Sequence, residues 1–105
     1  MRHVIWSRAA RRDVAAIHAY VARDSPEAAS RLLRRFETVA EGLTDFPFKG
    51  RSIRRGLRQI LAAFPYVIRY RVTHDLIEIT RVYHGARNVR SPRLPYAAEQ
   101  PMPAA

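Results

Sequence analysis

The sequence predicts an α+β domain in the order β-α-α-β-β-β, a helical hairpin packed on one face of a small, mainly antiparallel sheet. Three observations predict it. Residues 65–87 alternate apolar and polar through two runs joined by a short polar turn. Two apolar stripes at helical spacing occupy residues 8–46, separated by a two-residue connector. At 105 residues and 48% apolar composition, the chain is long enough for one core and too short for two.

Arg2–Trp6 is a short apolar run with β-branched and aromatic members, the first strand. Ser7 follows as an N-cap, its hydroxyl placed to accept an orphan amide of the next turn. Ala10, Val14, Ile17 and Val21 then recur on one helical stripe, predicting a helix over about 8–23. Ser25-Pro26-Glu27 begins a second helix: a cap, a residue with no amide to satisfy, and a carboxylate at the positive end of the macrodipole. Its stripe runs through Ala29, Leu32, Leu33, Phe36, Val39, Ala40, Leu43 and Phe46. The arginines at 8, 11, 12, 31, 34 and 35 fall off both stripes and read as a solvated face.

Pro47 ends the second helix, and Pro47–Gly56 reads as a loop punctuated by two glycines. Leu57–Leu61 is a modest strand that leads into the central hairpin. There Tyr66, Ile68, Tyr70 and Val72 alternate with Val67, Arg69 and Arg71, as in a half-buried strand. His74-Asp75 turns the chain, and Leu76–Tyr83 returns antiparallel with Ile77 and Ile79 on its buried face. A hairpin this apolar needs a cover, and the two helices provide it. Residues 1–87 make the domain. From 88 to 105, Pro92, Pro95, Pro101 and Pro103 predict a C-terminal tail that is partly disordered.

Nineteen Lys and Arg against nine Asp and Glu give a net charge of +10, and Lys49 is the single lysine. Arginine pairs bidentately with carboxylate and phosphate, so the expected partner is a polyanion, either nucleic acid or an acidic protein. No apolar run reaches the roughly 18–20 residues of a membrane span, so no membrane partner is expected. With no signal-type apolar segment after Met-Arg-His and no cysteine, a cytoplasmic setting is expected. No His/Asp/Glu spacing suggests a metal site, and no cofactor is expected.

The first helix carries Ser7, Ala10, Asp13, Val14, Ile17 and Tyr20 as a spaced set, and Pro26-Glu27-Ala28-Ala29 opens the second. Phe46-Pro47, Gly50-Arg51, Gly56-Leu57-Arg58, Tyr70-Arg71-Val72 and Arg81-Val82-Tyr83-His84-Gly85-Ala86-Arg87 follow in order. With the element order, these motifs resemble the RelE/ParE superfamily of type II toxins over about residues 4–90, closest to ParE. The resemblance implies a small basic toxin neutralised by a cognate acidic antitoxin. ParE-like members inhibit DNA gyrase; RelE-like members cleave messenger RNA on the ribosome.

Cleavage of RNA by transesterification needs a base, an acid and cations on the phosphate. Arg81, Tyr83, His84 and Arg87 stand at the end of the last strand, with Arg58 on a neighbouring one, as the candidate nuclease set. Histidine suits proton transfer near neutral pH, and arginine suits phosphate. As a surface for binding a target, the candidates are Arg58, Arg69, Arg81, His84 and Arg87. In RelE-like nucleases a basic residue follows the first tyrosine of the central Tyr-x-x-x-Tyr stretch. Here that place is held by Val67, with Arg69 two residues on along the same strand face. The departure favours the gyrase inhibitor over the nuclease.

Overall fold

Ser7 begins the first helix as its position predicts, accepting the Ala10 N–H at 3.0 Å. Ser25 does the same for the second, accepting from Ala28 N–H at 3.1 Å, with Pro26 in the first turn. The computed structural model describes residues 2–85. They form β1 (His3–Trp6), α1 (Arg8–Ala22), α2 (Pro26–Gly42), β2 (Arg51–Arg54), β3 (Leu57–Ala63), β4 (Tyr66–Val72) and β5 (Leu76–His84). Arg87 and the proline-rich tail expected from 88 lie outside the described residues.

The five strands lie in the order β1-β5-β4-β3-β2. β1 runs parallel to β5, and the other neighbours are antiparallel. The fold class is the expected one, with a strand more than the sequence suggested. The Pro47–Gly56 stretch read as loop contains β2, whose four residues alternate too little to be seen as a strand. β2 and β3 close through a turn in which Gly56 takes φ +72°, a conformation that disfavours any side chain.

Tyr70, Phe36, Leu43, Ile68, Ile77, Ile79 and Val82 are fully buried between the helices and the sheet. Burying such a side chain stabilises the fold by about 1.5–3 kcal/mol each. Phe46 does not continue the α2 stripe. The helix ends at Gly42, Leu43 is its C-cap, and Phe46 stands 68% exposed beyond it. β4 is also more enclosed than a half-buried strand, because Val67 and Arg69 on its other face are buried too.

Bulges tune the register. Thr80 is the extra residue of β5 between Ile79, opposite Tyr70, and Arg81, opposite Arg69. The shift puts Val82, like Ile79, in the core. Ala62 is the extra residue of β3, and its carbonyl accepts from Arg35 Nε at 3.0 Å. Arg35 therefore ties α2 to the sheet and is not part of a merely solvated face. Arg11 departs likewise, its Nη1 donating to Trp6 O at 2.6 Å.

Candidate functional site

β1 pairs with β5 only as far as Ile79, where the chain leaves the sheet to enter α1. The backbone of β5 beyond that point would be an open edge, and α1 closes it. Ser7 N–H donates to Ile79 O at 3.0 Å, and the Ser7 hydroxyl donates to Thr80 O at 3.0 Å. Nearly two turns further along α1, Asp13 accepts three hydrogen bonds. They come from Arg81 Nε at 2.8 Å, Arg81 Nη2 at 3.0 Å and the Val82 N–H at 2.9 Å. A bidentate guanidinium–carboxylate pair of this kind fixes both direction and distance.

Past this junction, α1 and the end of β5 enclose a cleft of about 300 Å³. Asp13, Ile17, Tyr20, Tyr66 and His84 line it. His84 packs edge-to-face on Tyr66, with ring centroids 5.6 Å apart, and Tyr66 packs in turn on Phe36 at 5.9 Å. His84 Nδ1 is buried and makes no hydrogen bond among the described residues. A buried nitrogen in that state carries a desolvation cost that a bound group could relieve.

The other face of the sheet carries a different set. Arg69, 8% exposed, has its guanidinium over the Tyr83 ring at 5.0 Å and donates from Nη2 to the Tyr83 hydroxyl at 2.9 Å. Tyr83 donates onward to Gln59 Oε1 at 2.9 Å. This cation–π contact and hydrogen-bond relay lock three neighbouring strands together on the face away from the helices.

Arg58 lies at the opposite end of β4 from His84. Its Nη1 donates to Gly50 O at 2.7 Å, and its guanidinium covers the Phe48 ring at 4.9 Å. Beside it the buried Tyr70 hydroxyl accepts from Gly50 N–H at 2.9 Å and donates to Pro47 O at 2.8 Å. Burial raises the Tyr70 hydroxyl above its ordinary 10.0, outweighing the Gly50 hydrogen bond and the Arg58 charge, which act the other way.

The candidate residues thus separate. His84 stands in the helix-side cleft, which Tyr83 also borders; Arg81, opposite Arg69 in the register, is held by Asp13 at the rim; the Arg69 guanidinium is paired with Tyr83 on the opposite sheet face; Arg58 secures a loop at the far end. Arg87 lies outside the described residues. Sequence reasoning gave no role to Asp13, Tyr66 or Gln59. Asp13 had a signal: it is the one acidic residue before position 24, in a stretch rich in arginine. Among the described residues no three metal-type side chains converge, and no helix is long and apolar enough to cross a membrane.

Comparison with known proteins gives these features a family. The sequence model described as "ParE toxin of type II toxin-antitoxin system, parDE" matches residues 4–89. "Toxin RelE2" of Caulobacter vibrioides (strain ATCC 19089 / CIP 103742 / CB 15) is 40% identical over 87 residues, covering 83% of this chain and 99% of that protein. Among solved structures, the "Chromosomal ParDE TA system from P. aeruginosa" contains a chain that is 28% identical. It superposes with a TM-score of 0.68 over 80% of this chain and 96% of its own. A chain of the E. coli DinJ–YafQ complex shares the fold at 14% identity, with a TM-score of 0.58 over 83% of this chain and 97% of its own. A helical hairpin clamped by Asp13 onto a five-stranded sheet, matched from residue 4 to 89, places the chain in the ParE toxin family of the RelE/ParE superfamily, as the toxin component of a type II toxin–antitoxin system.

Proposed function

We propose that this toxin arrests growth by binding its target rather than by cleaving it, that the target is DNA gyrase, and that a cognate acidic antitoxin neutralises it. The observation that carries this reading is the dispersal of the cations among the described residues. Phosphoryl chemistry on RNA needs positive charge aimed at the same phosphate that the acid and base address. Around His84, Arg81 is engaged by Asp13, Arg69 lies on the other face of the sheet, and Arg58 is bonded to Gly50 at its far end. Such a site suits a protein contact. The antitoxin follows from charge: a chain at +10 is best masked by an acidic segment that folds on contact, and the DinJ–YafQ structure of the same fold is itself a toxin–antitoxin complex.

A second reading is a ribosome-dependent messenger RNA endoribonuclease. Its support is the name of the 40%-identical Caulobacter protein, RelE2, and the comparisons as a group weigh more for this reading than for gyrase. His84 would then act on the proton, from the cleft it shares with Tyr20 and Tyr66. Growth assays of His84→Ala separate the two. A toxin that binds retains most of its potency, whereas a nuclease loses roughly 10²–10⁴-fold of its rate.

A further inference from the structure

The positive charge is not spread evenly. Between Asp45 and Asp75 the sequence holds seven Lys or Arg residues and no Asp or Glu. This stretch forms β2, β3 and β4, the half of the sheet remote from β1. Register arranges part of it into a grid. Arg51 stands opposite Gln59, and Gln59 opposite Arg69; Arg54 stands opposite Leu57, and Leu57 opposite Arg71. Directly opposed residues share a face. That face is the one away from the helices, because Ile60, Ile68 and Tyr70 at the alternate positions pack into the core.

Strand spacing sets the size of the grid. Arg51 and Arg69 are two strands apart, about 9.6 Å between backbones, and Arg69 and Arg71 are about 6.8 Å apart along β4. Arg51, Arg54 and Arg71 are exposed, and Arg71 Nη1 reaches across to the Gly56 turn, 3.6 Å from where a Cβ there would sit. Arg69 is buried under Tyr83 and adds its charge to the field rather than a contact. Glu78, opposite Arg71, opposes the field at the β5 side. The positive surface therefore lies over β2 and β3.

A row of arginines on a sheet face suits successive phosphates of a nucleic-acid strand. Whether that strand is single or paired depends on stacking. Single-strand binders offer exposed aromatic rings between their cations. Here Tyr83 on this face is half-buried, its ring packed on the Arg69 guanidinium and its hydroxyl bonded to Gln59, and the exposed rings of this stretch, Phe46, Phe48 and Phe64, stand in the connections outside the strands. Backbone contact without base stacking is how non-specific binding to a duplex works.

We propose that the β2–β4 face, through Arg51, Arg54 and Arg71, binds the phosphate backbone of duplex DNA directly and without sequence preference. This goes beyond gyrase inhibition and stands on residues that the proposed function does not use. In the gyrase setting, the toxin would hold the enzyme and its DNA at once.

The test is fluorescence anisotropy of the purified toxin with a labelled mixed-sequence DNA duplex across a salt series. Three phosphate contacts predict a log–log slope of about −3, falling by about 2 in the Arg51→Ser/Arg71→Ser double variant. Replacing both by lysine instead should preserve the slope, and thermal melting confirms that each variant folds. An Arg31→Ser/Arg34→Ser variant removes the same charge from exposed positions of α2 and should leave the slope within about 0.5 of the parent. Equal losses from both serine pairs would overturn the proposal, since net charge alone would then explain binding. Tighter binding to single-stranded RNA than to the duplex would overturn it as well. A parent toxin that inhibits gyrase without binding the duplex removes this proposal and leaves the functional one; a parent toxin that binds the duplex without inhibiting gyrase removes only the functional one.

Discussion

Asp13 and Arg81, 68 positions apart in sequence, meet through two parallel hydrogen bonds of 2.8 and 3.0 Å. The same carboxylate also takes the Val82 N–H where β5 has lost its partner strand. One side chain thus joins α1 to the strand end that carries Tyr83 and His84. Replacing Asp13 by Ala should cost about 1.5–3 kcal/mol, because a charged hydrogen-bonding partner is lost and a backbone donor is left behind. Urea unfolding measures this, and a loss under about 0.5 kcal/mol would show that water replaces the carboxylate.

Gly50 and Tyr70 form a second junction. A Cβ on Gly50 would lie 2.6 Å from Gln59 O and 2.7 Å from the Tyr70 hydroxyl oxygen, so backbone must move. Gly50→Ala should destabilise by about 1–3 kcal/mol, the usual cost of overpacking. Tyr70→Phe should cost about 1–3 kcal/mol by orphaning the Gly50 N–H. Both are read from the midpoint of chemical unfolding.

Tyr70 also predicts an alkaline limit. Its folded pKa lies above the unfolded value, so the folded state holds this proton more tightly. The contribution is complete below the unfolded pKa and is lost as pH rises through the folded one. Stability measured from about pH 9 upward should therefore fall more steeply in the parent than in Tyr70→Phe. Parallel curves would contradict the burial argument.

These junctions mark the boundary of what was legible in the sequence. Caps and helical stripes are local signals, so Ser7, Ser25 and the two helices were readable directly. β2 was not, since Arg-Ser-Ile-Arg becomes a strand by pairing with β3 across a bulge. The site was harder still. Arg58, Arg69, Arg81 and His84 are neighbours by strand, but strand parity and the Thr80 bulge send them to different faces and ends. Asp13 was visible as an isolated acid, while its partner was set by tertiary packing.

Phe46 offers a contrast. The sequence stripe counted it as core, yet it is 68% exposed past the end of α2. Phe46→Ser should change stability by no more than about 0.5 kcal/mol, as for other surface positions. A loss above about 2 kcal/mol would restore the extended helical stripe.

The central claim is that the toxin works by binding. Its most direct measurement pairs two readouts with purified toxin: DNA supercoiling by gyrase, and primer extension on ribosome-bound message. The predicted result is inhibited supercoiling with intact message, and an inhibition that His84→Ala weakens modestly or not at all. Cleavage of message at codon positions, abolished by His84→Ala, with supercoiling unaffected, would contradict the account and establish the endoribonuclease.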